Sequence, residues 1–153
     1  MNQQQIAGQY IQSGAQGVHP VGLVVRLYEA VMEDLRRALE ALREGQVERR
    51  TRALNHALLI LAELESVLDY ERGGQVARHL SGFYKVTRAL IVEANARASA
   101  ADLERLMELF LPVRQAWQQA ERELAGGTQP AARSYALPNG PAQSSAGGSS
   151  WSV

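Results

Sequence analysis

The chain has 153 residues, 16 Lys plus Arg against 16 Asp plus Glu, and no cysteine. Its zero formal charge supplies no bulk field for nucleic acid or anionic lipid, and the missing thiols exclude a disulfide scaffold, a thiolate nucleophile and cysteine-ligated metal. The length suits one domain with one core.

Residues 1–19, "MNQQQIAGQYIQSGAQGVH", hold no Lys or Arg and no continuous apolar run. A secretory signal needs both, so this stretch reads as a leader rather than a signal, and the expected compartment is the cytoplasm. Arginines and glutamates interrupt every leucine-rich segment, so no stretch is apolar for long enough to cross a bilayer.

Pro20 suits the first turn of a helix, where its missing N–H would be unpaired anyway. The spacing predicts a first helix over about Val21 to Arg43, with Val24, Leu27, Val31, Leu35, Ala38 and Leu42 as its stripe. Tyr28, Met32 and Leu39 broaden that stripe. "REGQ" at 43–46 is a stop and restart, with Gly45 able to take positive φ.

A second helix is expected from about Val47 to Tyr70. Leu54, Leu58, Leu61, Leu64 and Leu68 recur at steps of three and four, while Leu59, Ile60 and Val67 widen the apolar arc. Such width has two readings, a middle helix touching two neighbours or a groove for a partner helix. Periodicity does not separate them.

"DYERGGQ" predicts a double-glycine break, and the third helix is expected from about Gln75 to Ala96. Val76, Leu80, Phe83, Leu90 and Ala94 form one line; Ala77, Tyr84 and Ile91 repeat every seven residues on another. Gly82 between Leu80 and Tyr84 is a candidate for close approach of a helix or ligand backbone. Ser99 followed by Asp102 predicts a capped start for a fourth helix reaching about Leu124, with a bend at Pro112. From Gly126 the sequence turns to Gly, Ser, Pro and Ala, and residues 126–153 read as a flexible tail with Tyr135, Leu137 and Trp151 as its isolated anchors.

Catalytic and metal readings find little support. His19, His56 and His79 lie on separate segments, and none stands three residues after a glutamate as in di-iron bundles. Asp69, Glu71 and Arg72 fit capping and loop fixation as well as acid–base work, and the Gly73–Gly74 pair lacks the Lys and Ser/Thr of a phosphate-binding loop. Arg49, Arg50 and Arg52 make the strongest basic run, without the interleaved aromatics that base stacking requires. No enzyme, cofactor or metal is expected.

The segments "HPVGLVVRLYEAVMEDLRRAL", "LESVLDYERGGQVARHLSGFY", "RALIVEAN" and "LMELFLPVRQAW" occur in an order that resembles the FliS family, the bacterial flagellar export chaperones for flagellin. The most specific part is "LDYERGG", then a Leu-x-x-x-Tyr spacing, then "EAN"; His19 stands where the family often has a small polar cap. The resemblance implies an all-α antiparallel four-helix bundle over residues 20–125. It also implies a cytoplasmic export chaperone that binds the C-terminal region of flagellin, with 1:1 stoichiometry, prevents premature polymerisation and hands its client to flagellar type III export, where a gate component is a further expected partner. Tyr10, Leu59, Ile60, Tyr84 and Ile91 are the expected client-binding residues, with the 1–19 leader draped over the groove. Asp69, Glu71, Gly73 and Gly74 are expected to serve the loop architecture. No nucleic acid or stable membrane insertion is expected. The alternative is a generic helical adaptor or dimerising interaction module.

Overall fold

A computed structural model describes residues 20–126, and these form α1 (Pro20–Arg43), α2 (Val47–Ser66), α3 (Tyr70–Arg97) and α4 (Ala100–Ala125). Connections of three, three and two residues leave no room for crossovers, so consecutive helices run antiparallel. Packing follows a ring in which α1 touches α2 and α4, and α3 touches α2 and α4. The diagonal pairs are α1 with α3 and α2 with α4. Cross-pairs confirm the sense: Arg43 on α1 meets Glu104 on α4 at 3.1 Å, and Gln118 donates to Glu29 at 3.2 Å.

The stripes read from the sequence converge on one core. Tyr28, Val31, Leu35, Ile60, Leu61, Ile91, Leu103 and Phe110 have no exposed surface. Removing one such large apolar side chain from water contributes roughly 1.5–3 kcal/mol. Aromatic rings tie three of the helices, with Phe83 edge-on to Phe110 at 5.2 Å and Tyr28 edge-on to Phe110 at 6.2 Å.

Turn chemistry explains the boundaries. After α1, Gly45 takes φ +71°, Gln46 N–H donates to Ala41 C=O and Gly45 N–H to Leu42 C=O, the paired closure that left-handed glycine permits. The same closure ends α3, but with Ala98 at φ +48°: Ser99 N–H reaches Ala94 C=O and Ala98 N–H reaches Asn95 C=O. Ser99 Oγ then accepts from Asp102 N–H at 3.1 Å and starts α4. α4 continues through Pro112 as a single helix, with Phe110 and Val113 buried on either side of it.

Two boundaries differ from expectation. α2 ends at Ser66 rather than Tyr70, because Ser66 Oγ donates back to Glu63 C=O and the Val67 and Leu68 amides tighten onto Glu63 and Glu65. α3 begins at Tyr70 rather than Gln75. Asp69 Oδ1 accepts from the Glu71 and Arg72 amides, and Gly73 N–H bonds Asp69 C=O, so one helical turn forms before the glycines. The break falls inside the helix, at Gly74 with φ +51° and ψ −124°. Gly73 is required for a different reason, since a Cβ there would lie 2.8 Å from Ala77 Cβ.

Candidate functional site

Among the described residues, α3 exposes two large apolar side chains within one helix interior, beside single ones such as Val47 on α2 and Leu111 on α4. Its core-facing side carries Leu80, Tyr84, Thr87, Ile91 and Ala94, whereas Gly82, Val86, Ala89, Val92 and Ala96 are exposed on the opposite side. Val86 and Val92 are 59% and 57% exposed, large values for branched apolar side chains in helix interiors. Lys85 and Glu93 bring charge to this outward face, and exposed Arg78 and Arg97 stand at its two ends. A β-branched residue standing in water contributes nothing to the core and lowers helix propensity, so the folded bundle alone does not account for it.

Polar bonds set the register of α3 against α2. Arg50 Nε donates to Asn95 Oδ1 at 2.9 Å, with Thr51 Oγ1 at 3.5 Å from the same oxygen. At the other end, Ser81 Oγ donates to Glu65 at 2.9 Å and Arg88 pairs with Glu65 at 2.6 Å. Burial pushes the Glu65 carboxyl up, but the Ser81 hydroxyl and the Arg88 and Lys85 charges outweigh it and hold the group below the usual range. Between these anchors α2 carries half-buried Leu58 and, one turn further along, half-buried Ala62. On the α4 side, Phe83, Leu90 and Leu109 are likewise half-buried. The outward face of α3 is therefore flanked by partly exposed apolar side chains of α2, α3 and α4, interspersed with the Glu65–Arg88 pair on one side and with Glu93, Arg97, Asp102 and Arg105 on the other.

A second apolar feature lies at the end of the bundle where α1 and α3 begin and α2 and α4 finish. A cavity of about 440 Å³ opens there between Val24 of α1, Leu64, Val67 and Leu68 at the end of α2, Val76 of α3 and Trp117 of α4. Tyr84 forms part of its wall. Asp69 and Arg72 are its charged residues.

The expected client-contacting residues separate in the structure. Ile60 and Ile91 have no exposed surface, and Tyr84 is only 1% exposed. The seven-residue line of Ala77, Tyr84 and Ile91, read as a second surface, is the side of α3 that faces the core. Tyr84 Oη sits 2.7 Å from Tyr28 Oη, a hydroxyl pair that joins α3 to α1 across the bundle diagonal. Burial pushes both phenols upward, and a hydrogen bond from Trp117 opposes this at Tyr28. Leu59 is half-buried among exposed Arg52, Asn55 and Ser66 on the outward side of α2. Tyr10 lies outside the described residues. Gly82 faces open space, with no atom of the described residues within 4 Å of where its Cβ would stand, so no helix of the bundle approaches it closely.

Sequence reasoning missed Val86 and Val92, which belong to neither inward stripe; their spacing with Gly82, Ala89 and Ala96 was the available signal. Missed as well was the buried Asp34 carboxylate. It bonds His56 Nδ1 at 2.6 Å and fixes α1 to α2 beside a polar cavity of about 680 Å³. Burial raises Asp34 despite the opposing pull of His56. The basic run does not act as one patch: Arg49 pairs with Glu44, Arg50 turns to Asn95, and Arg52 remains at the polar cavity. Among the described residues no helix is long and apolar enough to cross a membrane, and no three or more His, Asp or Glu side chains group as metal ligands.

Comparison with known proteins agrees with this architecture. The family model "Flagellar protein FliS" matches residues 2–124. The flagellar secretion chaperone FliS of Campylobacter jejuni is 31% identical over 110 residues, covering 72% of this chain and 86% of its own. The Salmonella typhimurium protein of the same name is 30% identical over 110 residues, with 71% and 82% covered. FliSB of Pseudomonas aeruginosa, also a flagellar secretion chaperone, is 29% identical over 107 residues, with 70% and 85% covered. A four-helix bundle with an uncovered apolar helix face, matched along nearly all of its described length, places this chain in the FliS family of flagellar secretion chaperones, which are binding proteins and not enzymes.

Proposed function

We propose that this protein is a cytoplasmic chaperone for the C-terminal region of flagellin, which it holds as a 1:1 complex against the outward face of α3. The observation that carries this reading is the exposure of Val86 and Val92 in a helix interior, with half-buried Leu58, Phe83 and Leu90 on its flanks. An amphipathic client helix laid over this face would bury those side chains and be denied the contacts it makes in a filament. Leu59 extends the surface along α2. Ile60, Tyr84 and Ile91 act from beneath, by holding α2 and α3 at the spacing the client meets.

The work done is shielding. A client segment that orders only on binding loses conformational entropy as it does so, and this keeps the complex weak enough for later extraction by the export machinery. Transfer to a gate component of the type III apparatus would follow from the complex. The 1–19 leader, through Tyr10, covers the surface before the client arrives.

Calorimetric titration with flagellin from the same organism, intact and lacking its C-terminal helical segment, tests the reading. Saturable 1:1 binding to intact flagellin, lost on truncation and weakened by Val86→Glu or Val92→Glu, is the expected result. Absence of binding by intact flagellin, with both proteins folded, overturns it and leaves a helical adaptor or dimerising module.

A further inference from the structure

We infer that the apolar cavity at the end of the bundle is a docking site for this chain's own C-terminal segment Arg133–Leu137. Trp117 lines that cavity, and α4 finishes at Ala125 with Gly126 as its cap. Nine residues of helix separate Trp117 from Gly126, about 13.5 Å at the helical rise. Another nine residues lead from Gly126 to Tyr135, and their extended reach of about 30 Å is more than twice that return distance. The chain therefore leaves the bundle beside the cavity with enough length to fold back into it.

Chemistry selects the segment. Residues 127–153 are mostly Gly, Ser, Pro and Ala, and Tyr135 with Leu137 is their one pair of large apolar residues spaced two apart next to a charge. Arg133 is the only Asp, Glu, Lys or Arg in that stretch. At the cavity, Asp69 is exposed: its Oδ1 caps α3, its Oδ2 is 3.7 Å from Arg72, and exposed Glu71 adjoins it. An arginine two residues ahead of a tyrosine brings a guanidinium to those carboxylates while the ring and Leu137 enter among Val67, Val76 and Trp117. Residues 1–19 precede α1 at the same end but carry no Asp, Glu, Lys or Arg, and so no permanently charged side chain for such a pairing. The family match ends at residue 124, so Arg133–Leu137 lies outside the part of the chain that the family model matches.

The test uses the full chain carrying Trp151→Phe, which leaves Trp117 as the sole tryptophan. Tyr135→Ser with Leu137→Ser should shift Trp117 emission to the red and increase its quenching by acrylamide, with far-UV circular dichroism unchanged. Arg133→Glu should produce part of the same shift, removed by high salt in the parent chain. Unchanged Trp117 emission in the serine variant overturns the proposal. So does a shift produced by Tyr10→Ser and Ile11→Ser alone, which would assign the cavity to residues 1–19. Parent emission that reddens on dilution would place a second copy's segment there and overturn the intramolecular contact.

Discussion

Replacing Tyr84 by Phe, Tyr28 by Phe, and both together measures what the hydroxyl pair across the bundle contributes. The two oxygens are 2.7 Å apart and buried, and Tyr28 has a second bond from Trp117. Tyr84→Phe removes one neutral hydrogen bond and leaves Tyr28 still partnered, so its cost should be about 1 kcal/mol. Tyr28→Phe strands both the Tyr84 hydroxyl and the Trp117 donor, and a buried polar group left unpaired costs about 1–3 kcal/mol, which makes this the larger change. The double variant should cost less than the sum of the singles by about 1 kcal/mol, since the first substitution has already broken the shared bond. Urea unfolding at constant m-value reads all three. Because burial raises both phenols above the unfolded value, their contribution is intact below about pH 10 and is lost as pH climbs through the folded values, so Tyr84→Phe should also weaken the alkaline dependence. Strict additivity, or full stability of Tyr84→Phe coupled with lost flagellin binding, would refute the placement of Tyr84 in the core.

Ala98→Gly should stabilise the protein by about 0.5–1 kcal/mol, as Ala98 sits at φ +48° with the bonding pattern that normally uses glycine; an unchanged midpoint in thermal unfolding contradicts this. Asp69→Ala removes the acceptor for two amides at the start of α3 and should cost about 1 kcal/mol by the same assay. His56→Ala leaves the Asp34 carboxylate buried without its hydrogen-bond donor and should cost about 1–3 kcal/mol, a loss partly recovered in Asp34→Asn/His56→Ala. Burial raises Asp34, so its contribution is full below the ordinary aspartate value and declines as pH rises through the folded value; Asp34→Asn should flatten that slope in urea titrations across the acid range.

Residues that obey a local rule were legible in advance. Gly45 at positive φ, Ser99 capping α4, and the stripe of Leu27, Val31, Leu35 and Ala38 each follow from the chemistry of a few neighbours. The start of α3 was not, because "DYERGG" satisfies both a loop and a capped first turn; Asp69 bonding to the Glu71 and Arg72 amides decided for the turn. The site was legible only as a surplus. Apolar residues lie around much of α3, and periodicity ranks no direction above another until the other helices take their places.

The order of polar and apolar residues, the caps and the breakers were enough by themselves to determine four helices, their antiparallel succession and, through the run of motifs, the family. Which apolar residues face water is a relation between helices, and only the tertiary structure decided it. Tyr84 and Ile91 were drawn inward because the Tyr28 hydroxyl and the α1 stripe lie on that side, while Val86 and Val92 were left outward because, among the described residues, α3 packs mainly against α2 and α4 and touches α1 only through its core-facing side. The physical reason is that a helix fixes the angles between its side chains locally, but its rotation about its own axis is set by the sum of contacts with partners distant in sequence.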